Sequence, residues 1–383
     1  MLTPSLRSVR VVAGAAVAVA LAASAVAAPQ VKYDQVFRIN ERTGKTQAVV
    51  CTVQSDGLDR VQVLRRDGRD LSIDPLEIVE IVWGDVPASF SDGTTYASRS
   101  DWESAVASFQ EAAGDGDARE PVKAIARLHS LEALLAWGVA DAARYADAIA
   151  EADRFLSDHS ASRHVPTVRA HKARAAWLGG DPVAARDGYR ALFETGKDGA
   201  DGYSPLETAR AALEGARAAL AADDKPGAED LFQRARDAFS SIESEDAATS
   251  AHAAAGAEVA ALGPAYVKLA SGKAGSVRST FESAARDNQT SAGVAAARLG
   301  LGHALLETDE PRKAQLEFAW VAGLDHTDDD RRAEALVGLA KAAQAAAGDG
   351  ADAAAYKATL ARVVAQYGST PAAREAAQLL QSM

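Results

Sequence analysis

The sequence predicts a mostly α-helical protein in which stacked helical hairpins follow a small β module. Three observations predict this order. Residues 31–86 alternate apolar and polar positions between short turns, residues 101–383 have a helical period, and small and aromatic residues recur at fixed offsets in the second region. The 383-residue chain is 48% hydrophobic but only 6% aromatic, so alanine supplies much of its apolar surface. Because alanine favours helices and buries little area, we expect many thin, closely packed helices.

The amino-terminal segment has the features of a targeting sequence. Arg7 and Arg10 precede the apolar run VVAGAAVAVALAA, and AVA at 25–27 fits a signal peptidase site. We expect residues 1–27 to be a signal peptide cleaved after Ala27, which leaves a periplasmic or secreted protein with no stable membrane insertion. A retained amino-terminal anchor is the alternative. The formal net charge of −12 argues against nucleic acid or an anionic membrane as a partner.

The region 31–86 predicts a module of short strands. YDQVFRI, QAVVCTV, DRVQVL, DLSI and EIVEIVW are separated by turn residues, which is typical of a small β meander or an SH3-like barrel. The single cysteine, Cys51, is expected on the buried face of a strand, because unpaired cysteine is mostly buried. TGKT at 43–46 resembles the end of a phosphate-binding loop, but Ile39 stands where that motif needs glycine. We therefore predict a hairpin turn there.

From Asp101 onward, helical stretches alternate with the breakers GDGD, GGDP, ADDKPG, ASGKAG and TDEP. The stretch ARLGLGHALLETDEPRKAQLEFAWV, residues 297–321, shows the pattern of one hairpin. Small residues on the first helix are followed, on the second, by Ala314, by Phe318 four positions later and by Val321. Positions equivalent to this alanine recur through the region, and they are Ala105, Ala148, Ala185, Ala228, Val277 and Ala314.

This pattern resembles the tetratricopeptide repeat and the related Sel1-like repeat. The equivalent positions are 37 to 49 residues apart, more than the family period of about 34. The resemblance therefore implies an α-solenoid over 101–383 with lengthened helices or loops, and a helix from about Pro371 that caps the array. In this family, side chains of the first helices line a concave groove. Counting back eleven residues from each equivalent position predicts the groove residues Trp137, Arg174, Arg217, Tyr266 and His303. Packing between hairpins is their alternative role.

The sequence carries none of the common catalytic or metal-binding motifs. HExxH, GxSxG, paired CxxC and a complete phosphate loop are missing, so we expect no cofactor and no enzymatic activity. The histidines at 159, 164 and 171 are expected in a solvated loop and a helix start. The acidic run LDHTDDDRR, residues 324–332, lacks the glycine and glutamate of a calcium-binding loop. Its aspartates, 328–330, are expected to cap a helix.

The resemblance implies a non-enzymatic interaction or scaffold protein of the bacterial cell envelope. Its partner polypeptide would bind in the concave groove, with Arg174 and Arg217 as anchors for carboxylates. A carrier or sensor of a small molecule or glycan is the alternative. A long open groove would favour the polypeptide, and a deep apolar pocket the small molecule. An enzyme would need two neighbouring carboxylates or a histidine–carboxylate pair in a closed cleft.

Overall fold

A small antiparallel sheet precedes a long run of helices, which confirms the predicted order of β module and helical region. The predicted signal peptide, with its cleavage after Ala27, lies outside the described residues. The computed structural model describes residues 32–40, 44–244, 246–348 and 353–383.

Within the described residues, five strands form the β module. They are β1 Asp34–Asn40, β2 Lys45–Asp56, β3 Val61–Arg65, β4 Asp70–Ile73 and β5 Ile78–Val82. The sheet order is β4-β3-β2-β1-β5, so the last strand returns to pair with the first. Alternate side chains form the core of the module, and Cys51 is fully buried among them as expected. Gly44, with φ of +62°, lies in the predicted hairpin turn between β1 and β2.

The remaining elements of the described chain are almost all helical. The helices are α1 Ala88–Ser98, α2 Trp102–Gly114, α3 Glu120–Gly138, α4 Arg144–Asp158, α5 Val165–Gly179, α6 Pro182–Gly196, α7 Pro205–Ala221, α8 Lys225–Ser240, α9 Ala247–Ala261, α10 Gly263–Leu269, α11 Ala274–Asp287, α12 Ser291–Glu307, α13 Pro311–Leu324, α14 Asp329–Ala347, α15 Ala353–Gln366 and α16 Pro371–Gln381.

These helices pack in sequence order as hairpins. The pairs are α1/α2, α3/α4, α5/α6, α7/α8, α12/α13 and α14/α15, and α9 continues through Leu262 into α10 before pairing with α11. We call the earlier member of each pair a first helix and the later one a second helix. First helices also touch the first helix of the next hairpin, as α7 touches α9 and α12 touches α14. The first helices thus form an inner layer, and the second helices an outer one.

A glycine–aromatic contact recurs where helices cross. Phe318 on α13 lies between Gly302 of α12 and Gly338 of α14, and a Cβ added to these glycines would be 2.7 Å and 2.6 Å from the ring. The pairs Gly300/Phe281 and Gly93/Phe109 repeat this contact. Glycine is needed here because it lets the backbone approach the ring. The predicted alanine-equivalent positions are all on second helices and at most 1% exposed, and they are Ala105, Ala148, Ala185, Ala228, Val277 and Ala314.

Helix α1 is an element that the sequence pattern did not predict. Its sequence, ASFSDGTTYAS, is rich in residues of low helix propensity. Tertiary packing stabilises it instead: Phe90 meets Phe109 of α2 edge to face, with ring centroids 5.8 Å apart. The helical region therefore begins before residue 101, because burial against α2 outweighs the weak local preference.

The β module is fastened to the helices by two buried aspartates. Arg119, just before α3, donates to both carboxylate oxygens of Asp34 at 2.7 Å and 2.9 Å and to two backbone carbonyls of the module. Arg163, in the α4–α5 loop, donates to Asp56 at 2.6 Å. The backbone amide of Leu58 also bonds to the carbonyl of Ala161 at 2.8 Å. The loop between α4 and α5 is thus an interface, not solvated chain.

Candidate functional site

The five predicted groove residues all lie on the inner layer of helices. Trp137 is on α3, Arg174 on α5, Arg217 on α7, Tyr266 on α10 and His303 on α12. Arg217, Tyr266 and His303 line one cavity of about 730 Å³ in the centre of the helical region. Arg174 reaches the same cavity indirectly, through the side chain that it binds.

This central cavity combines an apolar wall with charges of both signs. Helices α5, α7, α12, α14 and α16 all contribute lining residues. The larger apolar lining residues are Trp177, Leu220, Phe232, Val259, Leu299 and Val337. The other charged lining residues are Asp330, Arg331, Glu334, Lys341, Arg374 and Glu375. A ligand in this cavity would meet apolar surface and ionic groups together.

Arg174 joins α5 to the start of α14. Its guanidinium donates to both carboxylate oxygens of Asp330 at 2.7 Å and to the backbone carbonyl of Ser369 at 2.7 Å. Burial lowers the pKa of Arg174, but the charge and the hydrogen bonds of Asp330, with smaller contributions from Tyr189 and Glu214, together outweigh burial and hold that pKa above its ordinary value. The arginine is therefore a fixed cation with an internal carboxylate partner.

Arg217 makes a second connection to the same turn of α14. It donates to Asp328 at 3.1 Å and to Glu214, one turn earlier on α7, at 3.1 Å. Burial raises the pKa of Asp328, yet the charges of Arg217 and Arg331 bring it well below its usual range. For Glu214, burial prevails over the charge of Arg217 and its pKa is raised. Asp328 is thus the firmly ionised partner of this cluster.

Tyr266 and His303 are positioned by aromatic neighbours of the second helices. Tyr266 packs edge to face on Phe281 and donates its hydroxyl to a backbone carbonyl of α12 at 2.6 Å. The ring of His303 lies 5.0 Å from Phe318, and its Nε2 is 2.9 Å from Glu334. Burial raises the pKa of Glu334, but the hydrogen bond with His303, together with the charges of His303 and Arg217, outweighs burial and the net pKa is lowered. This is a histidine–carboxylate pair inside a cavity.

Trp137, like Arg174, is not among the residues that line the cavity. It packs with the core of α1–α5, and the guanidinium of Arg144 lies 4.1 Å above its ring. Helix α3 lies before α5 in the chain, and α5 is the first helix that contributes residues to the cavity wall. The equivalent repeat position on α3 therefore does not bring Trp137 to the cavity.

Sequence reasoning assigned Asp328 and Asp330 only a local role. Asp328 does cap α14, because its carboxylate accepts from the backbone amides of Asp330 and Arg331 at 2.9 Å and 3.2 Å. Their pairing with Arg217 and Arg174 spans 111 and 156 residues. The run of aspartates is the only signal of this pairing in the sequence, and it does not show that the partners are Arg217 and Arg174.

The histidines at 159, 164 and 171 occupy structural positions. The expectation that this segment is solvated is wrong for His164, which is 9% exposed with its Nε2 3.2 Å from Asp56. The docking of the β module buries it. His171 lies 3.8 Å from Glu132. In the described part of the chain, no three His, Cys, Asp or Glu side chains are arranged to hold a metal ion.

Comparison with known proteins identifies no family for this chain. No protein-family model matches the chain, and no curated protein matches it in sequence. The resemblance to tetratricopeptide repeats therefore stays a prediction. Among the helices of the described residues, none combines the length and the apolar character that a bilayer crossing requires.

Proposed function

We propose that this protein is a non-enzymatic binding protein of the cell envelope, and that a polypeptide segment of a partner binds in its central cavity. The observation that carries the proposal is the convergence of Arg217, Tyr266 and His303 on one cavity. The repeat pattern in the sequence predicts the same three residues on a concave face.

The layered packing supports the same proposal. First helices that contact each other form an inner surface, which is how tetratricopeptide-like solenoids present a groove. We propose that the helical region is such a solenoid, with lengthened repeats, and that the preceding sheet is SH3-like. The exported location remains part of the proposal and rests on the amino-terminal sequence.

The charges of the cavity favour a polypeptide over a purely apolar ligand. On α14 and α16, Lys341 pairs with Glu375, and Arg374 has no hydrogen bond or ion pair among the described residues. Leu220 and Leu299 add apolar surface to the same cavity. A polypeptide segment combines apolar side chains, charged side chains and backbone dipoles, so it can satisfy such a mixed surface.

A small-molecule or glycan carrier is the second candidate. The cavity volume of about 730 Å³ lies within the range of about 300–1,000 Å³ that is typical of ligand pockets. The bonds of Arg174 and Arg217 to α14 also bridge the groove, so it is not a long open channel at that point. These two observations favour a compact ligand.

The pair His303–Glu334 is the kind of histidine–carboxylate arrangement that an enzymatic function would require. We assign it a structural role, because the ring of His303 is held edge-on to Phe318 and oriented by Glu334. Both side chains of the pair are thus held by contacts within the helical region, as expected of residues that shape a binding surface. Binding without chemistry is therefore the function that we propose.

Site-specific photo-crosslinking tests this proposal in the full-length chain. Benzoylphenylalanine is placed at Leu220, in the cavity, and in a matched variant at Leu316, which is 71% exposed on α13. The proposal expects polypeptide adducts from position 220 in envelope fractions and none from 316. Adducts from 316 alone would overturn it. An adduct of small mass at 220 would instead support the second candidate.

A further inference from the structure

We infer that Arg374 is the anchor of the central cavity, and that the ligand presents a carboxylate to it beside an apolar group. The inference rests on the proposed function of the cavity as a binding site, and it names the chemistry of what binds there. An acidic side chain and the free end of a polypeptide can both supply such a carboxylate.

The cavity is open to solvent where α5 and α7 end. Its exposed lining residues are Gly180, Ala221, Arg374 and Gln378, and we call these residues the mouth. Gly180 follows α5, Ala221 is the last residue of α7, and the other two lie one turn apart on α16. The buried part of the lining is mostly apolar, and its larger members are Phe232, Val259, Leu299 and Val337.

Arg374 differs from the other cations of the cavity lining because it has no acceptor. Arg217 and Arg331 both bind Asp328, and Lys341 pairs with a glutamate of α16 at 2.5 Å. For the guanidinium of Arg374, the described chain supplies no hydrogen bond and no ion pair. Its N–H donors are therefore available to an anion that reaches the mouth.

The carboxylates of the cavity lining already have partners. Both oxygens of Asp330 accept from Arg174, and Glu334 is 2.9 Å from Nε2 of His303. Glu375 is the glutamate that pairs with the lysine. An incoming carboxylate is therefore the acceptor that the guanidinium at the mouth lacks, and it can form the bidentate bond that arginine favours.

The start of α16 holds Arg374 in place. The carbonyl of Ser369 accepts a hydrogen bond from α5 at 2.7 Å, and Gly368 packs on Val139 at the end of α3. The guanidinium extends over Gly180, where a Cβ would lie 1.7 to 2.0 Å from its Nη1, Nη2 and Cζ atoms. The C-terminal end of α5 attracts this cation, but none of its carbonyls accepts a hydrogen bond from it in the described chain.

The surroundings of the guanidinium select the rest of the ligand. Trp177 lies one turn before the end of α5 and Leu220 lies at the end of α7, and both line the cavity. Phe232 continues this apolar surface in the buried part. A ligand with an anionic and an apolar group can therefore place the first at Arg374 and the second against these side chains. An acidic, apolar polypeptide segment has both groups.

Two fluorescent dyes that differ only in an anionic group test the anchor in the full chain. Anilinonaphthalene sulfonate carries a sulfonate, which stands in for a carboxylate, and phenylnaphthylamine is the same ring system without it. The affinity of each dye is measured for the parent, Arg374→Gln, Arg374→Lys and Ala221→Trp, which fills the mouth. Arg312→Gln is the matched control, because Arg312 is exposed on α13 and makes no ion pair within the described ranges.

We expect the parent to bind the sulfonate dye about fivefold or more tighter than the neutral dye. Arg374→Gln should abolish this difference without changing the affinity for the neutral dye, and Arg374→Lys should keep part of it. Arg312→Gln should change neither affinity, and Ala221→Trp should weaken both.

Equal affinities of the two dyes in the parent, or no binding of either, would overturn the anchor. So would a sulfonate affinity that Arg374→Gln or Ala221→Trp leaves unchanged. An equal loss of both dyes in Arg374→Gln would overturn it as well, because Arg374 would then shape the cavity without binding the anion. Unfolding curves of each variant, followed by circular dichroism, show whether a loss of binding reflects a loss of structure.

Displacement of the sulfonate dye by short peptides distinguishes the two sources of the carboxylate. Acetylated dileucine has a free terminal carboxylate, acetylated leucyl-aspartyl-leucine amide has one on a side chain, and acetylated dileucine amide is the uncharged control. Displacement by one charged peptide and not by the control supports the anchor and identifies the source. Displacement by neither, or equally by the control, would overturn it. Because no native partner is used, failure of the anchor is distinguishable from failure of the crosslinking test.

Discussion

Asp34 and Arg119 form a bidentate ion pair that ties the first strand of the sheet to the start of α3. The carboxylate of Asp34 is completely buried, and the guanidinium of Arg119 reaches it from 85 residues away. Two backbone carbonyls, of Val53 and Gly84, accept the remaining bonds from the same guanidinium. One side chain thus connects three parts of the β module to the helices.

The first prediction follows from this pair. Arg119→Ala leaves the carboxylate of Asp34 buried without a counter-charge, so we expect the free energy of unfolding to fall by about 3–5 kcal/mol. The measurement is chemical denaturation followed by circular dichroism. Arg65→Ala removes a pair with Asp67 whose side chains are 48% and 45% exposed, and it should cost less than about 1 kcal/mol. Equal effects of the two substitutions would contradict the assigned role of Arg119.

The second prediction concerns the glycine–aromatic contacts. Gly338→Ala places a methyl group 2.6 Å from the ring of Phe318, so we expect a loss of about 1–3 kcal/mol despite the better helix propensity of alanine. In the matched variant Gly323→Ala, the added Cβ meets nothing within 4 Å, and up to about 1 kcal/mol should be gained. Thermal unfolding of both variants checks the opposite signs. A gain of stability in both would show that the ring does not require the glycine.

The third prediction is a pH dependence that Cys51 produces. Burial, followed by the negative charge of Asp34, raises the pKa of the thiol to about 11. The fold therefore favours the neutral thiol, and this stabilisation is complete below the unfolded pKa of about 8.5 and is lost as the pH rises towards 11. Relative to Cys51→Ala, the parent should lose on the order of 3 kcal/mol over that interval. Denaturation curves at several alkaline pH values test it, and parallel pH profiles would refute it.

The fourth prediction separates two acidic partners of Arg217. Asp328→Asn keeps a capping side chain for α14 but removes the charge that faces Arg217 and Arg331. We expect it to lower the free energy of unfolding by about 1–3 kcal/mol. Glu214→Gln removes a carboxylate that burial already disfavours, so its cost should stay below about 1 kcal/mol. Urea denaturation of the two variants gives the comparison, and a larger effect at Glu214 would reverse the assignment of the main counter-ion.

Two places in the helical region differ in how well their structure follows from the sequence. Ala314 and Phe318 were predicted as the crossing of a hairpin, and both are fully buried there. The positions of these two residues can be predicted because the spacing of residues around one helical turn is a local property. Helix α1 was not predicted, because its local propensity is weak and Phe109 of the next helix stabilises it.

The sequence by itself determined the order of sheet and helices, the small residues at the crossings and the inward positions of Arg174 and Arg217. Only the tertiary structure decided that these arginines bind Asp330 and Asp328, and that Trp137 lies apart from the cavity that three of the other groove residues line. The physical reason is that small rotations between successive hairpins accumulate along the array. No local pattern encodes their sum, and that sum decides that α5 meets α16 and the start of α14.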